Sequence, residues 1–571
     1  MKARIEAQNP EANLRDYHQA YRTFTWAEEE KHFSLADGKG NIAYEAVDRW
    51  TLDPDKRDRP ALIFEKSDQV RTFSFQDLKE KSGRLASLFL RQGLGPGDLL
   101  FIFLPPSPEI YIAMLACARL GIIFCPLYSN LNFNELEVRL LNAEPQAVLT
   151  HPDLAENLPF EPVSGLKHVF LTEGPVNHRF AQAVTLAGLV EKMDQECPPV
   201  RLPLEAPLFL IFTSGAAGPP NGVVHSHRAM LGYRATAWDV LDLGEGLTLW
   251  TDGHPAWITG TVYGAFAPWL RGAATVIQAD PFSASTWYRT LERHQVSVWY
   301  TTPQRIKRLV EAGQDLPGRY DLSRLKHIAT VGRSLAPDYF FWVRKNLGKT
   351  PHETWWMTET GMICLANYPS QPTKPGSMGR PVCGVEVGIL DEQGDPLPIL
   401  TIGELALKAG WPAMMTGIWR NERKYKNYFR FPGWFLTGDL AVRDEDGYFF
   451  HHGRNDDLLK IGDQFIGPFE VEQVLCRHPA VSEAAVISKK ASTKAPFLKA
   501  FITLHQGYHP SARLNQEVRE FVRANMSPEV PLLEVAFLDE LPKTRTGRIL
   551  RRVLRAQELG LPTHDPAGLK E

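Results

Sequence analysis

Residues 208–222 read LFLIFTSGAAGPPNG, an apolar run that leads directly into a loop rich in glycine and proline. The run Leu208–Phe212 predicts a buried strand of a sheet. The loop can turn its backbone N–H groups toward one point, an arrangement that suits phosphate oxygens. It is not a Walker P-loop, because no lysine followed by serine or threonine comes after the last glycine. A phosphate-binding loop and a tight surface turn after a core strand are both open interpretations at this point.

The composition is typical of a globular chain. A length of 571 residues allows several domains with large cores, and 23% charged with 44% hydrophobic residues is an ordinary balance. The net charge of −3 gives no reason to expect nucleic acid or an anionic membrane as partner. The most apolar region, residues 99–127, is interrupted by prolines and charged residues, so we expect no membrane span.

The cysteines and the N-terminus indicate the compartment. The six cysteines are scattered and form no Cys-x-x-Cys, which argues against structural zinc and against a disulfide framework. Residues 1–16 are polar and charged, with no apolar segment typical of a secretion signal. We therefore expect a reducing, cytoplasmic location.

Apolar runs alternate with helical patterns from Pro60 onward. Ser74 is expected to cap a helix that runs to about Gln92, and a second helix is expected over residues 108–120. The runs predicted as strands cover residues 61–64, 99–104, 147–150, 168–171, 208–212, 274–277 and 296–299. Strands that alternate with helices predict an α/β fold of layered sheets with helices on their faces.

The amino-acid composition changes toward both ends of the chain. Residues 1–50 carry many aromatic side chains, which predicts an N-terminal arm packed on a larger body. Residues 403–447 are rich in glycine, tryptophan and tyrosine, which predicts a β-rich subdomain. We predict a large N-terminal domain (1–453) and a small α+β C-terminal domain (454–571). The predicted elements of the small domain are a helix at 470–477, strands at 482–488 and 498–504, a helix at 515–525 and a basic helix at 549–559.

The loop at residues 213–222 resembles the phosphate loop of the adenylate-forming synthetases, whose usual form is Thr-Ser-Gly-Ser-Thr-Gly-x-Pro-Lys-Gly. By matching position, the nucleotide-binding residues of this loop would be Thr213, Ser214, Gly215 and Gly218. Ala216 and Ala217 replace the Ser-Thr pair, and Asn221 replaces the lysine. The loop keeps the glycines that give it shape and loses most of its polar side chains.

The resemblance covers nearly the whole chain and is closest to the AMP-forming acetyl-CoA synthetase branch, the acetate–CoA ligases. That family joins a carboxylate to ATP, releases pyrophosphate and passes the acyl group to CoA, and its small C-terminal domain rotates between these two half-reactions. The resemblance implies a small carboxylate, ATP and CoA as substrates, Mg²⁺ as cofactor and a mobile C-terminal domain. It implies neither a nucleic acid nor a membrane partner, and it indicates no protein partner.

Residues 355–361, WWMTETG, resemble the family motif that holds AMP and magnesium. By matching position, Thr358 would contact phosphate and Glu359 would bind Mg²⁺, since a carboxylate suits a hard cation that also binds nucleotide oxygens. Further nucleotide contacts implied by the resemblance are Gly332, Arg333, Ser334, Glu353, Thr354 and Trp355. Adjacent tryptophans are also typical of a core, but the length and order of the motif favour the functional interpretation.

Trp356 bears on the substrate. In the acetate branch this tryptophan fills the acyl tunnel and leaves room for about two carbons. The other acyl-pocket residues implied by the resemblance are Trp257, Ile258, Thr259 and Val331. A hydrophobic pocket separates acids that differ by one methylene by only about 1–3 kcal/mol, so acetate and propionate are both candidates. Ordinary core packing is the alternative for these residues.

Residues 435–439, FLTGD, resemble the ribose-binding motif, in which Asp439 would accept both ribose hydroxyls. A Gly-Asp pair is also a common turn, but residues 444–448 continue the family pattern. Residues 453–457 resemble the hinge motif, in which Arg454 would reach the nucleotide and Asp456 would be the pivot.

Residues 542–548, PKTRTGR, resemble the terminal motif, and the catalytic lysine of the family falls on Arg548. Arginine keeps the charge, but its planar fork differs from a point charge on a flexible stem. A basic surface loop is the alternative. The CoA-binding residues implied by the resemblance are Arg523, Gly462 and Asp463, whereas Phe465 stands where the family has an arginine.

The departures concentrate where the family handles phosphate charge, while Glu359, Asp439 and the acyl-pocket residues match. Loss of one preorganised donor typically costs about 2.7–4 kcal/mol of transition-state stabilisation. The favoured hypothesis is an acetate–CoA ligase. The alternatives are a catalytically impaired homologue that binds nucleotide or acyl-CoA and has a regulatory role, and an enzyme limited to the thioester half-reaction.

Overall fold

The computed structural model describes residues 4–159, 165–174, 183–213, 220–454, 459–461, 464–466, 468–491, 494–526, 532–543 and 549–558. Residue contacts divide the chain into two compact units. The first comprises Met1–Glu386 and Lys408–Tyr428, and the second comprises Val387–Leu407 and Phe429–Glu571. The division after residue 453 stays a prediction, and the predicted pivot, Asp456, lies outside the described residues.

The strands occur throughout the described part of the chain. In chain order they are β1 (Lys39–Gly40), β2 (Pro60–Lys66), β3 (Gln69–Ser74), β4 (Leu99–Phe103), β5 (Ile123–Pro126), β6 (Ala147–Thr150), β7 (His168–Leu171), β8 (Ala183–Thr185), β9 (Leu202–Pro203), β10 (Pro207–Thr213), β11 (Asn221–Ser226), β12 (Thr248–Thr251), β13 (Ala274–Gln278), β14 (Val298–Thr301), β15 (His327–Thr330), β16 (Pro351–Trp355), β17 (Leu365–Ala366), β18 (Arg380–Pro381), β19 (Val387–Leu390), β20 (Gly403–Lys408), β21 (Gly417–Ile418), β22 (Trp434–Arg443), β23 (Phe449–Arg454), β24 (Leu459–Ile461), β25 (Gln464–Ile466), β26 (Val481–Ala491), β27 (Lys494–Leu504) and β28 (Leu532–Phe537).

Helices separate most of these strands. In chain order they are α1 (Tyr17–Thr23), α2 (Trp26–Glu30), α3 (Ile42–Ala46), α4 (Pro54–Arg57), α5 (Phe75–Arg91), α6 (Pro108–Leu120), α7 (Phe133–Ala143), α8 (Pro152–Ala155), α9 (Met230–Asp239), α10 (Ile258–Thr261), α11 (Ala267–Leu270), α12 (Ala284–Arg293), α13 (Pro303–Glu311), α14 (Pro337–Leu347), α15 (Glu422–Asn427), α16 (Pro468–Leu475), α17 (Ala512–Asn525) and α18 (Arg551–Glu558). Among the described helices, none combines the length and the apolar composition needed to cross a lipid bilayer.

Two large sheets build the first unit. Their strand orders are β21-β11-β10-β5-β4-β6-β7-β8 and β18-β17-β16-β15-β14-β12-β13-β2-β3. The inner strands pair in parallel, and the antiparallel pairs lie at the outer strands. Parallel pairing requires crossover connections, which the intervening helices supply. The predicted α/β fold of layered sheets is confirmed.

The helix α5 shows why the local predictions succeed. Ser74 and Asp77 form a reciprocal capping box at its start, and the helix buries Leu78, Leu85 and Phe89 on one face. The signals for this helix are a cap residue and an apolar face at helical spacing, and both are local. The predicted helix from Ser74 to about Gln92 is therefore confirmed.

The N-terminal arm is tied to the first unit by hydrogen bonds to backbone carbonyls. The hydroxyl of Tyr17 donates to Pro381 O at 2.9 Å, that of Tyr21 donates to Val385 O at 3.0 Å, and the indole of Trp26 donates to Gly384 O at 3.0 Å. Deeper in the unit, the buried guanidinium of Arg119 pairs with the carboxylate of Asp48. The arm packs on the larger body, as predicted.

The second unit contains a sheet in the order β19-β20-β22-β23 and another in the order β26-β27-β28. The predicted helix–strand–strand–helix sequence is confirmed in α16, β26, β27 and α17, with ends shifted by a few residues. The strand β28, which pairs in parallel with β27, was not predicted. Its run, LLEVAF, is short and interrupted by Glu534, so its extended state depends on a partner more than thirty positions earlier in the printed sequence.

Candidate active site

The glycine-rich loop connects two antiparallel strands. Thr213 ends β10 and lies in register with Asn221, the first residue of β11. The Thr213 hydroxyl donates to the Asn221 carbonyl at 3.5 Å, and the amide of Asn142 donates to Pro220 O at 3.2 Å. The predicted strand before the loop is confirmed. Ser214, Gly215 and Gly218 lie outside the described residues, and the phosphate contact of the loop stays a prediction.

The carboxyl ends of β14, β15 and β16 bring several predicted site residues to one edge of the second large sheet. These strands pair in parallel, with Thr301 opposite Thr330 and Thr330 opposite Glu353. The segment 331–334 follows β15, and the segment 356–359 follows β16. Ligands in open α/β sheets bind beyond the carboxyl ends of the strands, so this edge is a suitable position for a substrate site.

Glu353 holds two loops at this edge. Its side chain is only 4% exposed, and its two carboxylate oxygens accept hydrogen bonds from the backbone N–H groups of Leu335 and Gly376, both at 2.8 Å. The loop before Leu335 carries Gly332, in the left-handed region at φ +96°, followed by half-buried Arg333 and Ser334. Glu353 thus fixes the backbone of the loop, and direct contact of these residues with the nucleotide stays a prediction.

Trp356 lies in an aromatic cluster. Its indole N–H donates to the Tyr300 hydroxyl at 2.9 Å, and its ring meets the Tyr263 ring edge-on, with centroids 5.1 Å apart. Tyr263 belongs to a π-helical turn, Val262–Phe266, that directly continues α10. The other predicted pocket residues are half-buried Trp257 and the buried Ile258, Thr259 and Val331. The π-turn thus links the helix that carries Ile258 and Thr259 to Trp356, and the pocket role of these residues stays a prediction.

Thr354, the residue two positions before Trp356, takes part in the same cluster. Its hydroxyl lies 2.7 Å from the Tyr300 hydroxyl and donates to the Thr330 carbonyl at 2.9 Å. The neighbouring Trp355 is half-buried and lies in register with Leu365 of β17. Thr354 therefore faces the interior of the first unit, where it supports the ring of Tyr300.

The turn Thr358–Thr360 is held in place by a buried histidine and a glycine. His225 is fully buried, with its Nε2 2.8 Å from the Thr358 carbonyl and its Nδ1 3.1 Å from the Ala413 carbonyl. Burial lowers the pKa of His225 to about 4, although both carbonyls favour the protonated ring. The next residue, Gly361, has φ +73°, and a Cβ there would lie 1.9 Å from Ala413 O. Only glycine fits this turn.

Glu359 is buried, and its carboxylate is oriented by a tyrosine. The hydroxyl of Tyr428 donates to Glu359 Oε1 at 3.0 Å, and the backbone N–H of Met415 donates to the Glu359 carbonyl at 3.0 Å. Within the described residues, no three His, Cys, Asp or Glu side chains form a group that could hold a metal ion. The donor set fits Mg²⁺, because this ion is usually held by one or two carboxylates together with substrate phosphates and water.

Asp439 and Arg454 form a pair in the second unit. They face each other in register on β22 and β23, and Arg454 Nη1 lies 2.8 Å from Asp439 Oδ1. The same nitrogen donates to the Thr437 carbonyl at 3.2 Å, and His451 Nε2 lies 3.7 Å from Asp439 Oδ2. The nearly buried Asp439 is thus charge-compensated, and its contact with ribose stays a prediction.

The remaining predicted residues lie in the C-terminal part of the chain. Arg548, Gly462 and Asp463 lie outside the described residues, so their catalytic and CoA-binding roles stay predictions. Arg523 is exposed in the last turn of α17. Lys543, the lysine of the terminal motif, pairs with Glu483 at 2.6 Å, which fixes the chain just before residues 544–548.

Sequence reasoning missed the residues that hold the motifs in place. These residues are His225, Tyr263, Tyr300 and Tyr428. In the sequence His225, Tyr263 and Tyr300 lie in largely apolar segments, and the half-buried Tyr428 lies in a charged one. None of these surroundings distinguishes a residue that supports a site. A polar side chain that becomes buried needs a hydrogen-bond partner, and this need was the signal that could have drawn attention to these residues. It does not identify the partner.

The chain matches two family models. The AMP-binding enzyme model matches residues 51–419, and the model of the AMP-binding enzyme C-terminal domain matches residues 470–548. The first match alone spans more than half of the chain. The two matches together extend from the first unit through the small C-terminal elements.

Relatives and solved structures agree with these matches. The chain is 42% identical to acetyl-coenzyme A synthetase of Bacillus subtilis strain 168, with 98% of each chain covered. It is 34% identical to acetyl-coenzyme A synthetase of Methanothrix thermoacetophila, with 93% of this chain and 85% of that protein covered. A crystal structure of a Brucella canis acyl-CoA synthetase superposes with a TM-score of 0.74 at 27% identity, covering 95% of this chain and 99% of that one. The chain belongs to the AMP-binding enzyme family.

Proposed function

We propose that this chain is an AMP-forming acetate–CoA ligase, which uses ATP and CoA to convert a short carboxylate into its CoA thioester. The observation that carries the proposal is the position of Trp356. A bulky indole, held at its N–H by Tyr300, stands two residues before Thr358 and three before Glu359. Such a side chain limits the length of an acyl group close to the place where phosphate would bind. Similarity to acetyl-CoA synthetases over almost the whole chain supports the same activity.

The first half-reaction forms an acyl-adenylate. A carboxylate oxygen of the acid attacks the α-phosphorus of ATP, the bond from this phosphorus to the α,β-bridging oxygen breaks, and pyrophosphate leaves with that oxygen. Thr358 would donate to a phosphate oxygen, and the backbone N–H groups of residues 213–218 would surround the other phosphates. The buried carboxylate of Glu359 fits Mg²⁺, which when bound would neutralise charge on the phosphate oxygens.

The second half-reaction transfers the acyl group. The CoA thiolate attacks the acyl carbonyl carbon, the carbon–oxygen bond to AMP breaks, and AMP leaves. Asp439 would keep the ribose in place through both steps, and the exposed Arg523 would contact a CoA phosphate. Rotation of the C-terminal domain about Asp456 would exchange Arg548 for the CoA-binding residues between the steps.

The substitutions in the phosphate loop are the main reason to consider the two alternative functions, an impaired homologue and an enzyme limited to the thioester half-reaction. The replacement of polar side chains by Ala216, Ala217 and Asn221 in this loop, and of the family lysine by Arg548, is the observation behind an impaired homologue that binds nucleotide without adenylation. Full-length similarity to acetyl-CoA synthetases does not favour this impaired homologue or an enzyme limited to the thioester half-reaction. Charge from Arg333 and the backbone N–H groups of the loop would replace the missing side chains.

The decisive experiment is acetate-dependent ATP–pyrophosphate exchange with Mg²⁺. We expect exchange in the native chain, and no exchange when Glu359→Gln removes the carboxylate charge. Arg548→Lys and a loop variant with Ala216→Ser, Ala217→Thr and Asn221→Lys are expected to be at least as active as the native chain. A surface control, Glu445→Gln, should leave the exchange rate unchanged, because Glu445 is exposed.

The alternatives make different predictions in the same assay. Absence of exchange at high protein concentration, with exchange restored by the loop variant and Arg548→Lys, would reject the ligase and leave an intact scaffold that has lost adenylation. Absence of exchange, together with AMP-dependent transfer of the acetyl group from acetyl-CoA to AMP and release of CoA, would identify the half-reaction enzyme. The preference for acetate over propionate follows from the kcat/KM of each acid in the same preparation.

The cytoplasmic location belongs to this proposal as well. All six cysteines are free thiols, and five of them are buried. Burial raises the pKa of Cys117, Cys125 and Cys364 well above the usual value, which keeps these thiols protonated and unreactive. Such a set suits a reducing compartment, and cell fractionation with an antibody against the chain would test the location.

A further inference from the structure

We propose that Tyr300 sets the acid-size specificity of this chain by holding the Trp356 indole in one orientation. This inference rests on the proposed function, since it concerns the acid that the same site accepts. Tyr300 is a positioning residue here: it acts through Trp356 and not by touching the substrate. The inference rests on a series of hydrogen bonds. The direction of each bond follows from which of the two groups can donate a hydrogen.

The hydrogen bonds around Trp356 can run in only one direction. The indole N–H is a donor only, so at 2.9 Å the Tyr300 oxygen must accept from it. The Thr354 hydroxyl has one hydrogen, which it gives to the Thr330 carbonyl at 2.9 Å. The 2.7 Å contact between the Tyr300 and Thr354 hydroxyls is therefore donated by Tyr300. The result is a relay from Trp356 through Tyr300 and Thr354 to the Thr330 carbonyl.

Every group in this relay is shielded from water. Tyr300 and Thr330 are fully buried, Thr354 is 7% exposed and Trp356 is 8% exposed. A rotated indole would leave its own N–H buried without an acceptor, and the Tyr300 oxygen would lose the hydrogen bond that it accepts, because water cannot reach either atom. The ring of Tyr263 adds a steric limit, since it meets both other rings edge-on, with centroids 5.4 Å from Tyr300 and 5.1 Å from Trp356.

Such an anchor is needed because size discrimination by a pocket is small. One methylene in a hydrophobic pocket changes specificity only about 10- to 200-fold. An indole free to rotate could move aside for a longer acid and lose much of that factor. Burial raises the pKa of the Tyr300 phenol far above neutral pH, so the relay keeps its protons through the working range. The size preference should accordingly be independent of pH between about 6 and 9.

The test is the ratio of affinities for two acyl-adenylate analogues, the acetyl and butyryl sulfamoyl-adenosines, measured by calorimetry on the full chain. Tyr300→Phe removes one oxygen and keeps the ring. We expect it to lower the preference for the acetyl analogue by roughly 10-fold, mainly through tighter binding of the butyryl analogue. Tyr288→Phe is the matched control, because Tyr288 is a buried tyrosine whose hydroxyl has no partner among the described residues. It should leave the ratio within twofold.

A double-mutant cycle separates positioning from general damage. In the Trp356→Phe background, which lacks the indole N–H, Tyr300→Phe should leave the ratio unchanged. An equal change in both backgrounds, an unchanged ratio, or equal weakening of both analogues would overturn the inference. Should Tyr300→Phe fail to fold, Thr354→Val breaks the next link of the relay and must shift the ratio in the same direction.

Analogue binding tests this inference, and pyrophosphate exchange tests the proposed function, so the two can fail separately. Native chain that binds the analogues but gives no pyrophosphate exchange would reject the ligase, while the affinity ratio would still decide the role of Tyr300. Native chain that binds neither analogue would overturn the inference together with the acyl pocket on which it depends.

Discussion

The hydroxyl of Tyr428 donates to Glu359 Oε1 over 3.0 Å, so the carboxylate expected to bind magnesium is oriented by a residue 69 positions further along the chain. Partners of this kind fix the rotamer of a metal ligand and typically change metal affinity about 10–100-fold when they are removed. The pair therefore gives a direct test of the role assigned to Glu359.

We expect Tyr428→Phe to raise the Mg²⁺ concentration needed for half-maximal exchange by roughly 10-fold. The reason is that the carboxylate must then be ordered by the ion itself. The measurement is a magnesium titration of ATP–pyrophosphate exchange, with Tyr508→Phe, a substitution of an exposed tyrosine in the second unit, as control. An unchanged magnesium requirement would show that Tyr428 does not position a metal ligand.

Asp439→Asn is expected to weaken nucleotide binding by roughly 10–100-fold, in keeping with about 1.5–3 kcal/mol for a hydrogen bond to a charged group. The substitution keeps the shape of the side chain, removes the charge that accepts ribose hydroxyls and turns the 2.8 Å ion pair with Arg454 into a hydrogen bond to a neutral amide oxygen. Calorimetric titration with AMP measures the effect. Glu445→Gln, in the exposed turn that follows β22, is the control, and equal affinity in both variants would contradict the ribose assignment.

Stability should fall in acid because buried histidines are held neutral. Burial lowers the pKa of His327 to about 4 and that of the adjacent His352 well below its usual value. Between about pH 6.5 and pH 4 the unfolded chain binds protons that the folded chain excludes, so the free energy of unfolding rises with pH. This stability is complete above about pH 6.5 and is lost as the pH falls toward 4. His225 and His227 act in the same direction.

The pH dependence can be measured by urea unfolding at a series of pH values. His327→Gln should reduce the slope of stability against pH by about one proton in this range. His509→Gln, which changes an exposed histidine, should leave the slope unaltered. Identical slopes in the native chain and His327→Gln would mean that His327 is not the source of the acid sensitivity.

Arg119→Met should destabilise the chain by about 3–5 kcal/mol, because it leaves the buried carboxylate of Asp48 without its partner. The guanidinium also donates to Ser82 Oγ at 2.8 Å and to Cys197 O at 3.2 Å, so several groups lose their donor together. Replacing both members, Arg119→Met with Asp48→Leu, should recover part of this loss. Urea unfolding followed by tryptophan fluorescence gives the values, and Arg91→Met on the exposed side of α5 serves as control. A loss below 1 kcal/mol would show that the arm is not held by this pair.

Much of the site could be named from the sequence because its chemistry is carried by residue types in a fixed order. The predictions for Thr358 and Glu359 in WWMTETG, and for Asp439 in FLTGD, depend only on local sequence. The strand β10 and the helix α5 were likewise predictable, since an apolar run and a capping serine act within a few residues. Glu353 was predicted only as a nucleotide contact. Its hydrogen bonds to the backbone of Leu335 and Gly376 could not be predicted, because they depend on where two loops come together.

The amino-acid sequence was enough to predict the α/β fold, the resemblance to AMP-forming synthetases and the residues expected at the site. The partners that hold those residues are known from the folded chain and lie far away in sequence: Tyr300 lies 56 positions before Trp356, Tyr428 lies 69 after Glu359, and His225 lies 133 before Thr358. Helical and strand periodicities repeat every 3.6 and two residues, so they report which face is buried and carry no information on distant partners. Those partners are set by strand order and by the need of each buried donor or acceptor to be satisfied, which only the folded chain resolves.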